Sequence, residues 1–390
     1  MEMKEIFEDT ATAFVLKTDS ELERAYFLFK LIANEPLVKI GTAVTNFAIK
    51  AHLPVEKLIR ASVFDHFCGG VNEEECLVVA DKMYEKGVST ILDYSVEGQE
   101  VENQLDSCYE KALKTLDFVK ENAAIPFIVF KPTGFGRFKL YQKITEGQRL
   151  NKEEEEEWQR VVNRYDKVCK KAHDLEVSIL IDGEESWMQG AADELIASMM
   201  RKYNQKKAIV YNTLQTYRWD RLDYLKKLHK DAIENNYFIG MKVVRGAYME
   251  KENDRAEEKG YPSPICASKK ATDENFDNVV AYMVDNLETM SLFAGTHNEI
   301  SSYRLIEQME VKNIDHNDPR IWFGQLYGMS DHISFNLAKE GYNVAKYLPF
   351  GPVKDVMPYL IRRAEENTSV AGQTSRELTL LKKERKRRKI

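Results

Sequence analysis

The chain has 390 residues and a formal net charge of −7, with 43% hydrophobic and 31% charged residues. That length exceeds one minimal domain and fits a single barrel with an extension, while the acidic balance argues against nucleic acid as the main partner. No apolar run approaches the ~18 residues that a membrane helix needs.

Five cysteines (Cys68, Cys76, Cys108, Cys169 and Cys266) lie far apart with no CxxC pair. An odd, scattered set reads as reduced thiols in a cytoplasmic setting. The opening Met1 to Ile6 shows neither a signal pattern nor an Arg-rich transit pattern.

Residues 1–85 read as a helical extension. Leu22, Tyr26, Phe27, Phe29, Leu31 and Ile32 recur at near-helical spacing, as do Leu37, Ile40, Val44 and Ala48. Short β-branched and aromatic runs then follow in series. They are Thr90–Tyr94, Phe127–Phe130, Val177–Ile181, Ala208–Tyr211, Phe238–Val244, Ser291–Ala294, Ile321–Phe323 and Asn343–Tyr347. Charged segments of helical period separate most of them, such as Glu153–Ala172 and Thr272–Met290. Alternation of buried-type strands with helices predicts a parallel sheet, and eight such units predict a (β/α)8 barrel over residues 86–370. A doubly wound sheet is the alternative. The helix after the eighth strand is expected to begin at Pro352, with a kink or restart at Pro358. Residues 371–390 read as a basic tail. Its run Lys382–Lys389 is either solvated or held electrostatically at an anionic membrane surface.

Barrel enzymes place their chemistry at the carboxyl ends of the strands. Those ends carry Lys131-Pro-Thr-Gly134, Asp182-Gly-Glu-Glu185, Asn212-Thr-Leu-Gln215, Lys242-Val-Val-Arg245-Gly-Ala-Tyr248, Thr296-His-Asn298 and Tyr347. Singly, each has a plain reading: a surface lysine, a helix cap, a core histidine. Polar groups at this many strand ends on one face point instead to a site. After the last strand, Tyr359, Arg362, Arg363 and Glu366 fall at i, i+3, i+4 and i+7 of a helix and share one face. Paired guanidiniums suit a small carboxylate held bidentately. Arg245-Gly246-Ala247 suits a pyrophosphate, because glycine lets the backbone approach closely. HExxH, GxGxxG after a strand and a Walker lysine motif are all absent from the sequence, so neither a metal, a Rossmann nor a P-loop site is supported.

These motifs, together with Phe67-Cys-Gly-Gly70, Leu92-Asp-Tyr-Ser-Val-Glu-Gly98 and Phe323-Gly-Gln-Leu-Tyr-Gly-Met329, resemble the proline dehydrogenases. These are flavoenzymes of proline catabolism built on a modified (β/α)8 TIM-like barrel. The likeness is strongest to the single-function branch that includes the mitochondrial enzymes. It implies an FAD enzyme that oxidises L-proline to 1-pyrroline-5-carboxylate and passes electrons to a membrane quinone, working in the cytoplasm or peripherally on the inner face of the cytoplasmic membrane. By this resemblance, Lys131, Arg362 and Arg363 hold the substrate carboxylate, and Tyr347, Tyr359 and Leu326 pack on the substrate ring. Asp182 and Lys242 are the catalytic-centre residues, with Lys242 near the flavin. Gly183, Asn212, Arg245, Gly246, Ala247, Tyr248, Thr296, His297 and Glu366 contact FAD, and Glu97 is a gate that pairs with Arg362. The chain departs from many bacterial members at Asn212, where they have glutamine, and at Lys242, where they have arginine. Hydroxyproline oxidation is the nearest competing reading. A Schiff-base lyase using Lys131 or Lys242 and a non-catalytic carboxylate-binding barrel are more distant ones.

Overall fold

A computed structural model describes every residue except 1–4, 35, 37–58, 95–99 and 370–372, and the side chains of 61, 62 and 364–374 also lie outside the description. Eight strands form: β1 Val88–Tyr94, β2 Phe127–Phe130, β3 Ser178–Ile181, β4 Val210–Gln215, β5 Ile239–Val244, β6 Met290–Gly295, β7 Ile321–Leu326 and β8 Val344–Phe350. They close into a barrel in sequential order. Pairing is parallel, and β1 meets β8 in seven-residue register from Val88 opposite Val344 to Tyr94 opposite Phe350. Most strands are buried along nearly their whole length, as expected where helices cover the outer face and side chains fill the inner one. All eight predicted runs became strands. β4 continues four residues beyond its predicted end at Tyr211, which alters the site described below.

The helices follow from caps and periodic apolar faces. The helix Lys152–Leu175 starts with a reciprocal cap: Glu154 N–H donates to the Asn151 side chain at 2.9 Å and Asn151 N–H to the Glu154 carboxylate at 3.0 Å. Its buried residues Val161, Tyr165, Val168 and Ala172 share one face, and it ends at Glu176 with a left-handed φ of 57°. Full burial of such an apolar side chain contributes about 1.5–3 kcal/mol.

The described residues group into two compact units, 1–96 with 324–390, and 97–323. This division differs from the boundaries expected near residues 85 and 370. In the first unit, the helix Asp19–Ile32 is capped by Thr18 and Glu21 and buries Leu22, Ala25 and Phe29 in one cluster with Leu380 and Leu381. The predicted segment Leu37–Ala48 lies outside the described residues.

The expected basic tail takes a different form. Residues Gln373–Arg388 are a helix whose apolar side docks on the N-terminal helix. Of its cations, Arg376 and Lys383 pair with Glu8, Arg385 with Glu23, and Arg388 with Asp19 and Glu384, while Lys382, Lys386 and Arg387 are exposed. The physical reason is that Leu380 and Leu381 give the segment a face to bury, which a reading of charge alone misses. The preceding helix runs Met357–Ser369 rather than from Pro352. Pro358 sits in its first turn, where its missing N–H leaves no helical bond unmade. Among the described residues no helix is long and apolar enough to cross a membrane.

Docking of the terminal helix predicts that Leu380→Ala destabilises the protein by about 2–5 kcal/mol in urea unfolding. A loss below about 0.5 kcal/mol would contradict burial of this side chain.

Candidate active site

In the unit 97–323, the ends of β2 to β6 bring ionisable groups together. Lys242 lies within β5, opposite Thr213 of β4 and Phe293 of β6. Its side chain is 7% exposed and its ammonium pairs with the Asp182 carboxylate just past β3. Removing one partner of such a buried pair typically costs about 3–5 kcal/mol, because the other charge is left uncompensated.

Past β5, the Arg245 guanidinium donates from Nε to Asp273 at 2.7 Å and from its two terminal nitrogens to Thr296 Oγ1 at 2.9 Å and Ser301 Oγ at 3.0 Å. It also lies over the Phe276 ring at 4.6 Å. Gly246 and Ala247 follow in an exposed turn, with Gly246 at φ 125°. A Cβ at Gly246 would stand 2.6 Å from the Tyr217 ring, so only glycine fits. Tyr248 caps the next helix and is half-buried beneath the Lys251 ammonium, which lies 5.5 Å from its ring. His297 follows Thr296 and is half-buried.

Two residues outside the predicted set organise this face. Glu184 is buried and accepts both the Thr133 N–H at 2.9 Å and the Thr133 hydroxyl at 2.7 Å. Its own carbonyl accepts from the Gln215 amide at 2.7 Å, and its N–H donates to Gln189 at 2.8 Å. Glu184 thus ties the ends of β2, β3 and β4 together, fixing the turn that starts at Lys131. Burial pushes its carboxyl up to about 7, although the Thr133 bonds and the Lys131 charge pull the other way.

Gln215 is the amide at the true end of β4, beside Gly183, where an added Cβ would meet its side chain at 3.0 Å. The predicted Asn212 sits three residues back in mid-strand. Its amide donates to Asp193 at 2.9 Å and its oxygen accepts from Thr213 N–H, so its bonding capacity goes to the strand–helix layer. Continuing the strand to residue 215 would have exposed this.

In the unit formed by 1–96 and 324–390, Tyr347 lies on β8 and is buried. Tyr359, Arg362 and Arg363 share one helix, and the Arg363 guanidinium lies 5.3 Å from the Tyr359 ring centroid. Tyr359 belongs to an apolar cluster with Phe64, Phe67, Met329 and Leu360, and Leu326 packs against the same cluster. The shared helical face read from spacing is therefore present for these three residues. Glu366 falls on the same helix, but its side chain, like Glu97, lies outside the described residues.

A cleft of about 730 Å³ opens elsewhere in the unit 97–323, lined by Gln142, Trp187, Trp219, Arg255, Tyr261 and Pro264 among others. None of the predicted site residues lines it.

A closed parallel barrel with a buried Lys–Asp pair and a bonded guanidinium, Arg245, at its carboxyl strand ends has the organisation of a barrel enzyme. A family profile described as proline dehydrogenase matches residues 76–376. The chain is 35% identical over 326 residues to the carbapenem antibiotics biosynthesis protein CarD of Pectobacterium carotovorum, covering 83% of this chain and 84% of that one. It is 30% identical to the mitochondrial proline dehydrogenase 1 of Dictyostelium discoideum, covering 97% of this chain and 74% of that one. The crystal structure of proline utilization A (PutA) from Bdellovibrio bacteriovorus, inactivated by N-propargylglycine, shares the fold with a TM-score of 0.71 at 19% identity. That match covers 94% of this chain and 36% of that one, so the chain spans about a third of its length. The chain belongs to the proline dehydrogenase family, oxidoreductases that act on proline, for which a flavin is the implied cofactor.

The raised Glu184 value gives stability a pH dependence with a definite sign. The folded value, about 7, exceeds the ordinary 4.5, so this contribution is full below about 4.5 and is lost as pH rises through about 7. Glu184→Gln removes the titration. The stability of the native protein relative to this variant should fall from about pH 5 to about pH 7.5 and then level off, as read by urea unfolding. A difference independent of pH would contradict the raised value.

Proposed function

We propose that the chain oxidises L-proline to 1-pyrroline-5-carboxylate with FAD as its flavin and delivers the electrons to a membrane quinone. The observation that carries this reading is the joint presence of the family match over residues 76–376 and two arginines one residue apart on a helix that also bears a buried tyrosine. Arg362 and Arg363 donate to the substrate carboxylate, with Lys131 a further cation for it. Leu326, Tyr347 and Tyr359 supply apolar surface to the ring. The carboxylate ties the substrate in one orientation, so binding acts chiefly through position.

The residues present fit FAD. The Arg245 guanidinium beside the positive-φ Gly246, in an exposed turn, is a donor set suited to a pyrophosphate. The chemistry a bound flavin supplies is hydride acceptance from the carbon next to the ring nitrogen. Arg245, Gly246 and Ala247 would hold its phosphates, and Gly183, Tyr248, Thr296, His297 and Glu366 would border its other parts. The amide beside Gly183 is Gln215, which replaces Asn212 in this role. Lys242, kept in place by Asp182, would lie beside the flavin and supply a cation to it.

A membrane acceptor places the working enzyme at the inner face of the cytoplasmic membrane. Because Arg376, Arg385 and Arg388 of the terminal helix are neutralised by acidic partners, charge attraction through that helix is weaker than its composition suggests.

The test is steady-state oxidation of proline with a soluble dye. Arg363→Met removes a charge-assisted bond worth about 1.5–3 kcal/mol and should raise KM for proline more than about tenfold with flavin content kept. An unchanged KM would remove Arg363 from carboxylate binding.

A further inference from the structure

The segment that leaves β7, Leu326 to Ser330, has a backbone that ordinary residues avoid. Gly328 has φ 78° and Ser330 φ 51°. A Cβ at Gly328 would stand 2.2 Å from the His66 carbonyl oxygen. A non-glycine residue in the left-handed region is strained and persists where its surroundings over-determine it.

Here the surroundings do so from three separate parts of the chain. Lys346 of β8 has no exposed surface. Its ammonium donates to the Met329 carbonyl at 2.6 Å and the Leu326 carbonyl at 3.3 Å, and it pairs with Asp331 at 2.8 Å. Asp331 also faces Lys17 at 3.4 Å. Burial pushes the Asp331 carboxyl up, but the Lys346 and Lys17 ammoniums outweigh it and hold the group well below the usual carboxylate range.

His66 Nε2 lies 3.0 Å from the Gly328 carbonyl. Burial lowers this imidazole to about 3, so it is neutral, and a carbonyl partner makes Nε2–H the donor. From the terminal helix, Glu377 accepts the Ser330 N–H at 2.5 Å. Finally, the Tyr327 N–H donates to the Tyr347 carbonyl at 2.8 Å, joining the segment to β8.

A buried ion pair alone is weak evidence for stability, since apolar residues often replace one without loss. The placement is more specific than that. Lys346, His66 and Glu377 each bond to the backbone of one five-residue segment. That segment begins with Leu326 and is bonded to Tyr347, the next residue along β8 from Lys346.

We infer that Lys346 is a positioning residue. It fixes the Leu326–Ser330 backbone, with His66 and Glu377 as supports, so that Leu326 and Tyr347 present a rigid apolar wall to the substrate ring. This rests on the proline-oxidising reading above. A wall that shifts loses contact with proline and loses discrimination against a ring bearing an extra hydroxyl.

The experiment is steady-state kinetics on the flavin-loaded protein with proline and with hydroxyproline. Lys346→Met should retain flavin, raise KM for proline at least about fivefold with kcat within about twofold, and lower the proline-to-hydroxyproline ratio of kcat/KM at least about fivefold. His66→Phe keeps an aromatic ring beside Phe29 and Phe67 but removes the bond to Gly328. It should move both quantities the same way by about twofold or more, and it decides the matter if Lys346→Met does not fold.

Leu225→Ala is the control, because it loosens the helix Arg221–Asn235 in the other compact unit, which carries none of the residues that hold the segment. Wild-type KM and ratio in both test variants would overturn the inference while leaving the function intact. So would an equal KM rise in Leu225→Ala at matched stability. A wild-type enzyme that fails to oxidise proline would overturn the functional reading and this inference together.

Discussion

A parallel barrel must close on itself, and that constraint falls on the pairing of β8 with β1. The register is continuous over seven residues, so the backbone of Tyr347 is set opposite Ile91 and Phe350 opposite Tyr94. Closure leaves no edge and dictates where the chain emerges from β8. The emerging residues turn through Pro352–Val356 and enter the helix that carries Tyr359, Arg362 and Arg363. A barrel that ended elsewhere would hold the same arginines without a fixed relation to Tyr347.

Each compact unit buries a lysine in a strand and neutralises it with an aspartate that follows another strand. Lys242 meets Asp182 in one, and Lys346 meets Asp331 in the other. A buried ammonium without a partner is strongly disfavoured, so each pair ties the middle of one strand to the turn that follows another. Lys346 uses its remaining donors on backbone carbonyls, which suits a fixed part. Arg245 shows the same logic at the surface: three of its donors go to Asp273, Thr296 and Ser301, orienting the guanidinium at the end of β5.

Much of this was legible in the sequence, for physical reasons that can be named. Eight β-branched and aromatic runs separated by charged helical segments are a strong signal, because buried parallel strands have no polar face to blur it. The spacing of Tyr359, Arg362 and Arg363 is a property of the helix itself and survived intact. What failed were features set by tertiary contact. β4 extends through polar Asn212 and Thr213 because Asp193, the Thr213 N–H and the Ile181 carbonyl satisfy them, so the strand-end amide is Gln215. Glu184 stood in plain view beside Asp182, but its hold on Thr133 spans 51 residues and has no local signature. The run Lys382–Lys389 looked like a solvated tail because two leucines just before it, Leu380 and Leu381, decide its fate. Its charges merely complement Glu8, Asp19 and Glu23.

The central claim is that this chain is a flavin-dependent proline oxidoreductase whose substrate is recognised through its carboxylate. The most direct measurement is anaerobic titration of the purified, flavin-loaded protein, following flavin absorbance with proline and, in parallel, with pyrrolidine, which keeps the ring and lacks the carboxylate. The account predicts saturable bleaching by proline and little or none by pyrrolidine at the same concentration. Failure of proline to bleach the flavin, or equal bleaching by both compounds, would contradict it.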